Sequence, residues 1–315
     1  VTCNNQNFCV ARNTGDHNGL VMTLSRSAGA HTDAVLRIER GGLKSPEASE
    51  GEIAPRLLLD GEPLALSGDK WRISPWLFVT DDTATITAFL QMIQEGKAIT
   101  LRDGDQTISL SGLKAALLFI DAQQKRVGSE TAWIKKGDEP PLSVPPAPAL
   151  KEVAVVNPTP TPLSLEERND LLDYGNWRMN GLRCSLDPLR REVNVTALTD
   201  DKALMMISCE AGAYNTIDLA WIVSRKKPLA SRPVRLRLPF NNGQETNELE
   251  LMNATFDEKS RELVTLAKGR GLSDCGIQAR WRFDGQRFRL VRYAAEPTCD
   301  NWHGPDAWPT LWITR

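Results

Sequence analysis

Residues 280–290 read R-W-R-F-D-G-Q-R-F-R-L, with polar and apolar residues alternating on both sides of Asp284-Gly285. Alternation with a period of two is typical of a strand that has one buried face. Asp-Gly between two such runs predicts a tight β-hairpin, because a two-residue turn needs positive φ at both positions. The buried face is expected to carry Trp281 and Phe288. The opposite face carries four arginines: Arg280, Arg282, Arg287 and Arg289.

These four arginines raise the question of what neutralises them. A two-residue loop sets Arg282 opposite Arg287 and Arg280 opposite Arg289, and directly opposed like charges are unfavourable. A flanking acidic strand such as E-L-E-L at 248–251 could supply the compensation, and we favour this internal pairing because surface arginines are usually paired or solvated. A bound phosphate, sulfate or acidic glycan could also supply it, because guanidinium forks match such anions. The four arginines are therefore the anion-binding candidates.

The same alternation runs through residues 164–315, in EVNVTAL, ALMMISC, DLAWIVS and ELVTLAKG. It is also present in VRLRLPF and ELELM, where Arg235 and Arg237 on one run would meet Glu248 and Glu250 on the other if the two strands pair. Opposite charges across neighbouring strands stabilise a sheet modestly. The pattern predicts an antiparallel β-rich domain.

A short helix opens this domain at SLEERNDLLDYG. Ser164 and Glu167 fit a capping box, and Gly175 predicts the end of the helix. Its acidic residues are interpreted as a solvated face whose charges suit a helix N-terminus, in preference to a metal or acid/base cluster.

Residues 1–137 predict an α+β domain. Strand-like runs are LVMTLSR, AVLRIER, RLLLDG and KAITLRDG. One helix is predicted over 82–95, and a second over 112–126 with Ser111 as N-cap and the polar tail DAQQKR. The buried faces of the two helices are expected to carry Ile86, Phe89, Leu90 and Ile93, and Leu113, Ala116, Leu117 and Ile120.

Residues 138–163 contain eight prolines. Prolines at this density prevent a regular helix or a central strand and favour an extended spacer. The predicted fold class is therefore α+β and mostly β, with two antiparallel β-rich domains, 1–137 and 164–315, that contain a few short helices and are joined by a Pro-rich linker.

Six cysteines occur at wide and irregular spacing. An even number in this arrangement suits disulfides, and the local pattern suggests the pairs Cys3–Cys9, Cys184–Cys209 and Cys275–Cys299. The C-x5-C spacing and three scattered histidines do not fit a structural zinc site, and C-x-x-C is absent. We therefore expect disulfides, no metal, and an oxidising compartment, the periplasm or the cell exterior. A start at Val1 fits the removal of a signal peptide.

The composition and the absence of several known motifs argue against several classes of function. With Lys+Arg 38 against Asp+Glu 40, the net charge of -2 is too balanced for nucleic-acid binding. No apolar run reaches the roughly 20 residues that a membrane-spanning helix needs. The G-x-S-x-G, H-E-x-x-H, Walker and dinucleotide motifs are absent. The sequence favours a protein without catalytic residues or a cofactor.

Two further stretches carry candidate contacts. The heptapeptide C-N-N-Q-N-F-C at 3–9 is interpreted as a stapled turn. Its loop-contact candidates are Asn4, Asn5, Gln6 and Asn7. The stretch CDNWHGPDAWPTLWITR at 299–315 contains tryptophans that could stack on a sugar ring and groups that could act as acid or base, although packing over a sheet end is the favoured interpretation. These residues are Trp302, Trp308, Trp312, His303, Asp300 and Asp306.

Several stretches resemble the bacterial family labelled domain of unknown function, DUF1176. They are CNNQNFCVAR at the start, ISLSGLKAALLFIDAQQKRVGSETAWIKKG (108–137), ALMMISCEAGAYN (203–215) and DCGIQARWRFDGQRFRLVRYAAEPTCDNWHGPDAWPTLW (274–312). The first half is more loosely similar to invasion-associated locus B proteins. The resemblance implies an exported envelope protein and carries over no activity, cofactor or catalytic residue.

The leading hypothesis is an exported, periplasmic, non-catalytic binding protein whose partner is a protein or an anionic glycan of the envelope. One alternative is an enzyme inhibitor that inserts the Cys3–Cys9 loop into a lysozyme-like cleft. A second alternative is a carbohydrate-active hydrolase, which needs only two suitably separated carboxylates.

Overall fold

The computed structural model describes residues 1–14, 20–31, 34–40, 53–64, 66, 69–102 and 106–315. Backbone contacts divide the chain into two compact units. The first unit is Val1–Ala149 with Thr298–Leu311, and the second is Leu150–Pro297 with Trp312–Arg315. The predicted fold class is confirmed as mostly β, with antiparallel sheets and a few helices. The division into 1–137, a linker over 138–163 and 164–315 stays a prediction.

The described residues of the first unit form two antiparallel sheets. The six-stranded sheet has the order β1-β2-β3-β4-β8-β7, and its strands are β1 (Thr2–Cys3), β2 (Cys9–Arg12), β3 (Leu20–Arg26), β4 (Ala34–Arg40), β7 (Arg72–Ile73) and β8 (Leu77–Thr80). The four-stranded sheet has the order β10-β9-β5-β6, and its strands are β5 (Leu57–Leu59), β6 (Glu62–Pro63), β9 (Ala98–Leu101) and β10 (Thr107–Ser109). Alternate residues of β2, β3 and β4 face the core, where Ala11, Leu24 and Leu36 lie side by side.

Among the described residues of this unit there are two α-helices, α1 (Thr83–Ile93) and α2 (Leu113–Gln123). The side chain of Asp82 caps α1 by accepting from the N–H of Thr85 at 2.9 Å, and the four predicted core residues of this helix are all buried. The N-cap of α2 is Gly112 with φ +84°, so the predicted cap, Ser111, is wrong by one position. A left-handed backbone at the cap favours glycine because it has no Cβ.

Three polar residues of the DAQQKR segment, Asp121, Gln124 and Arg126, are buried, whereas Ala122, Gln123 and Lys125 are exposed. The carboxylate of Asp121 accepts from the backbone N–H groups of Trp133 and Ile134 at 2.9 Å each and pairs with Arg26 at 3.4 Å. Burial raises the pKa of Asp121 against these bonds. Burial, followed by the charge of Arg126, lowers the pKa of Arg26 to about 9, which still leaves the guanidinium charged at neutral pH.

The second unit is built on two larger sheets. One has the order β11-β12-β13-β14, with β17 also on β13, and its strands are β11 (Val193–Ala197), β12 (Lys202–Ala211), β13 (Thr216–Ser224), β14 (Ser231–Pro233) and β17 (Leu251–Met252). The other has the order β18-β19-β20-β21-β22, and its strands are β18 (Thr255–Asp257), β19 (Glu262–Lys268), β20 (Gly276–Phe283), β21 (Phe288–Glu296) and β22 (Thr310–Ile313), of which residues 312–313 belong to this unit. A two-stranded ribbon pairs β15 (Leu236–Arg237) with β16 (Glu248–Leu249). Single 3-10 turns lie at Ala54–Arg56, Pro141–Ser143, Pro188–Arg190 and Pro305–Ala307.

The helix of the second unit, α3 (Leu165–Asn180), has the predicted capping box between Ser164 and Glu167. It runs past Gly175, where the sequence predicted its end. A Cβ at Gly175 would lie 2.5 Å from Cγ1 of Val193, so the glycine serves close packing of the helix on β11. No helix among the described residues is long and apolar enough to cross a membrane.

The core of the second unit centres on Trp281, whose side chain is fully buried. Phe288 is buried beside it, as the alternation of the hairpin predicted. A second cluster, under α3, joins Leu171 to apolar residues of β11, β12 and β13. The arginine-bearing strands β20 and β21 are therefore anchored through their apolar faces.

Candidate functional site

A groove of about 760 Å³ lies within the second unit. Its walls are the segment 151–156, the stretch from β14 to β15, and the start of β21 with the preceding turn. Apolar residues that line the groove are Ile222, Val234, Leu238, Phe288, Leu290 and Trp312. Basic residues that line it are Lys151, Arg232, Arg235, Arg237, Arg287 and Arg289. The groove therefore combines an apolar lining with a dense set of cations.

The charges that line the groove are unbalanced. Six basic side chains face two acidic ones, those of Glu152 and Asp284, which leaves an excess of four positive charges. Within the described ranges, three of the cations have no carboxylate partner: Lys151, Arg232 and Arg287. Arg232 donates to the backbone carbonyl of Gln286 instead. A concentration of one sign of charge in a concave surface attracts ligands of the opposite sign.

The ribbon β15–β16 forms the predicted cross-strand charge pairs. Arg237 lies directly opposite Glu248, and its Nε donates to the Glu248 carboxylate at 3.0 Å. Arg235 reaches the same carboxylate at 3.6 Å. One anion thus serves two cations, and all three side chains are at least one-third exposed. These pairs orient the arginines at the groove without neutralising both.

The hairpin β20–β21 has a different register from the predicted one. Phe283 pairs with Phe288, so the turn contains the four residues 284–287 rather than two. The carboxylate of Asp284 explains the longer turn, because it accepts from the backbone N–H groups of Gln286 at 2.9 Å and Arg287 at 2.8 Å. A bulge after Arg280 shifts the pairs further.

As a result, Arg282 lies opposite Arg289 and Arg280 opposite Arg292, in place of the predicted partners. The like charges are separated by different acceptors. Arg289 donates to Asp284 at 2.7 Å, and Arg292 donates to the side-chain oxygen of Gln278. Although burial raises the pKa of Asp284, its bonds from Arg287 and Arg289 lower it below the usual value, so the turn carboxylate is ionised.

The other two hairpin arginines pair inside the fold. Glu262, at the start of β19, lies 3.4 Å from Arg280 and 3.2 Å from Arg282. Arg282 also donates to the carbonyl of Val153. The compensating acid is therefore on the strand next to β20, and the E-L-E-L segment that the sequence favoured provides Glu248 to the ribbon arginines instead. Of the four anion-binding candidates, the groove brings together Arg287 and Arg289 and leaves out Arg280 and Arg282.

Four cationic side chains of the groove were missed as candidates: Lys151, Arg232, Arg235 and Arg237. Arg235 and Arg237 were interpreted only as structural partners of acids. Lys151 lies in the proline-rich stretch, where no pattern marks a site. Its segment pairs with Arg315, because the N–H of Val153 donates to the main-chain oxygen of Arg315 at 2.7 Å and the N–H of Arg315 donates to the carbonyl of Lys151 at 2.8 Å.

The candidates in the Cys3–Cys9 loop are engaged within the first unit. Asn4 is buried, and its side-chain oxygen accepts from the N–H of Gln6 at 2.9 Å. Asn7 has φ +56° and its side-chain oxygen accepts from Gln123 at 2.9 Å. Gln6 donates to a backbone carbonyl, and Asn5 is half-buried. These bonds tie the loop to its own backbone and to α2.

All six cysteines are in disulfides and none is free. The pairs Cys3–Cys9 and Cys184–Cys209 join as predicted. Cys275 and Cys299 are also disulfide-bonded. The thiolates that a structural zinc site would need are therefore consumed, and the disulfides are compatible with an exported protein.

The aromatic C-terminal stretch does not form one platform. Trp302 and Trp308 are buried in the first unit, where Trp308 donates to the carbonyl of His303 at 3.1 Å. His303 lies 3.7 Å from Glu39. Trp312 lines the groove of the second unit.

The two acids of this stretch are placed differently from each other. Asp300 is buried in the first unit and pairs with Arg12 at 2.9 Å. Asp306 lies in an exposed 3-10 turn.

The chain belongs to the DUF1176 family, described as protein of unknown function, whose family model matches residues 1–315. The predicted resemblance to this family is confirmed, whereas the looser similarity to invasion-associated locus B proteins stays a prediction. No solved structure matches the chain. Membership in this family assigns no activity to the chain.

Proposed function

We propose that this protein is an exported, periplasmic, non-catalytic binding protein whose second unit holds an anionic glycan in the arginine-rich groove. The observation that carries the proposal is the excess of four positive charges in a groove of about 760 Å³. The disulfides support export because such bonds persist in oxidising compartments.

The arrangement of the cations favours an extended ligand over a single small ion. Arg235 and Arg237 are two residues apart on one wall, and Arg287 and Arg289 are two residues apart on another. One residue separates the members of each pair, so each wall presents two cations close together. A chain with regularly spaced sulfate, phosphate or carboxylate groups can contact both pairs.

The apolar lining suits sugar rings. Trp312 lines the groove and packs on Phe240 with ring centroids 5.5 Å apart, which holds its indole in place. Aromatic faces pack well on the C–H faces of sugars while arginine forks bind the attached anions. The ligand class that matches both features is an acidic oligosaccharide.

A binding titration tests this proposal. A sulfated oligosaccharide is expected to bind to the unsubstituted protein with an affinity that falls as salt rises, and its desulfated form is not. Replacing Lys151 and Arg287 together by Gln should weaken binding at least tenfold, since one charge-assisted hydrogen bond is worth about 1.5 kcal/mol or more. The matched control is Arg190→Gln, an exposed arginine of the same unit outside the groove, which should bind normally.

Equal binding by the double variant and the control would refute the groove as the site. Binding that persists after desulfation would refute an anionic ligand. Chemical-shift mapping of the arginine side chains then shows whether Arg287 and Arg289 move while Arg280 and Arg282 stay unperturbed, as their pairing with Glu262 predicts.

A further inference from the structure

One carboxylate that lines the groove of the second unit has no intramolecular partner among the described residues. Two acidic residues line this groove, Glu152 and Asp284. Both oxygens of Asp284 are occupied, because one accepts from the N–H groups of Gln286 and Arg287 and the other accepts from Arg289 at 2.7 Å. The side chain of Glu152 is exposed and forms neither an ion pair nor a hydrogen bond with the part of the chain that the structure describes. Glu152 is therefore the acidic group of the groove that a ligand can use.

The groove leaves both signs of charge without partners. Lys151, Arg232 and Arg287 have no carboxylate partner within the described ranges, and Glu152 has no cationic partner there. Opposite charges that line one groove could neutralise each other by forming salt bridges. Because these groups do not pair, three cations and one carboxylate are open to a ligand at the same time.

The backbone on both sides of Glu152 is held in place. The N–H of Val153 donates to the main-chain oxygen of Arg315 at 2.7 Å, and the N–H of Arg315 donates to the carbonyl of Lys151 at 2.8 Å. Arg282 also donates to the carbonyl of Val153. Glu152 thus lies between two main-chain hydrogen bonds, and a site whose backbone is already ordered loses less entropy when a ligand binds.

We propose that the ligand of this groove carries both signs of charge and is an acidic oligosaccharide with an amino group. Its anionic groups bind Lys151, Arg232 and Arg287, and its ammonium group binds the carboxylate of Glu152. This inference rests on the proposed function, because it specifies the ligand of the same groove. A ligand without the ammonium group places its anions near a carboxylate, and such like-charge contacts are one means by which a site rejects a wrong partner. Glu152 is thus the residue that determines specificity.

The test compares two ligands in two proteins. The ligands are an O-sulfated glucosamine oligosaccharide with free amino groups and the same oligosaccharide after N-acetylation, and both are titrated at about pH 6, where the amines are protonated. The unsubstituted protein should bind the amino form more tightly. In Glu152→Gln, the ratio of the two affinities should fall about fivefold, which is the contribution of one exposed ion pair.

Two controls accompany this comparison. Glu210→Gln removes an exposed carboxylate of the same unit that does not line the groove, and it should leave the ratio unchanged. Glu152→Gln should bind the N-acetylated form at least as tightly as the unsubstituted protein does, because it loses a charge that repels sulfate groups. That result shows that the groove of the variant is intact.

The outcomes separate this inference from the proposal on which it rests. If both ligands bind and the ratio is the same in the unsubstituted protein and in Glu152→Gln, the amino group is not read by Glu152, and the groove remains a site for acidic glycans. An equal fall of the ratio in Glu210→Gln would also overturn the inference. If neither ligand binds to the unsubstituted protein, the proposed function fails and the inference fails with it.

Discussion

Removing the charge of Glu262 should lower the stability of the protein, because Glu262 neutralises two arginines that are part of the fold. The arginines that line the groove should not show this dependence. The carboxylate of Glu262 is about nine-tenths buried, and it lies 3.4 Å from Arg280 and 3.2 Å from Arg282. In Glu262→Gln, both guanidinium groups keep their charge but lose the anion between them. Arg282 retains one acceptor, the carbonyl of Val153.

The expected loss of stability in Glu262→Gln follows from the burial of the three charged side chains. At an effective dielectric constant of about 20, two unit charges at these distances attract by about 5 kcal/mol, part of which only offsets the cost of desolvating them. Removing one partner of a buried pair costs about 3–5 kcal/mol. The arginine side chains keep 26% and 18% exposure, so water reduces the expected loss to about 2–3 kcal/mol.

The control is Glu248→Gln. Glu248 also bridges two arginines, Arg235 and Arg237, but its side chain is 35% exposed and theirs are 62% and 64% exposed. Exposed pairs of this kind contribute less than about 1 kcal/mol. The two variants therefore differ in the burial of the bridging carboxylate, while the chemistry of the substitution is the same.

The assay is hydrogen exchange in peptides that cover β19, β20 and β21, which measures the local free energy of opening and does not require that the whole chain unfold in one step. A loss below 1 kcal/mol, or equal losses in the two variants, would refute the argument from burial.

Three further predictions concern the rest of the fold. Asp121→Asn leaves a buried guanidinium without its anion and should cost about 3 kcal/mol of unfolding free energy in denaturant titrations, so a loss under 1 kcal/mol would contradict it. The bonds from Arg225 and from the Ser164 N–H lower the pKa of Glu167 in the folded state, so this stabilisation is present above pH 4.5 and is lost as the pH falls through the lowered value. Glu167→Gln should therefore lose less stability than the parent between pH 5 and 3, and parallel acid profiles would contradict this. Replacing Cys184 and Cys209 by Ser opens a loop with a sequence separation of 25 and should cost about 3.5 kcal/mol if loop entropy dominates, which calorimetry can check.

Much of the fold could be predicted from local patterns. Alternation placed Trp281 and Phe288 in the core, and this survived the wrong register because the pairings of these two residues moved by two positions, which keeps a side chain on the same face. The buried face of α1 followed from its period, with Ile86 and Phe89 among the residues named. Such features depend on residues that are close in sequence, and their physical cause is burial of one face.

What could not be predicted depends on contacts between distant residues. The acid that neutralises Arg282 is Glu262, and its choice depends on β19 being the neighbour of β20. The length of the hairpin turn depended on the Asp284 side chain, which satisfies two backbone N–H groups that a two-residue turn would not present. Gly175 was interpreted as a helix end because its role, close approach to Val193, is visible only once the helix is packed.

The difference between local patterns and contacts of distant residues also explains why only two of the six basic residues that line the groove, Arg287 and Arg289, were predicted from the sequence. Its basic residues come from three separate stretches, represented by Lys151, Arg235 and Arg287. All three are exposed, and exposed charges contribute little to folding stability. Folding therefore does not require them to be cations, and Gln in their place should leave the stability of the unit nearly unchanged. Arg280 and Arg282 differ from the groove cations, because their ion pairs with the largely buried Glu262 contribute to folding stability. If the groove cations serve a ligand, substitutions there should change affinity without changing stability, and substitution of Glu262 should change stability first.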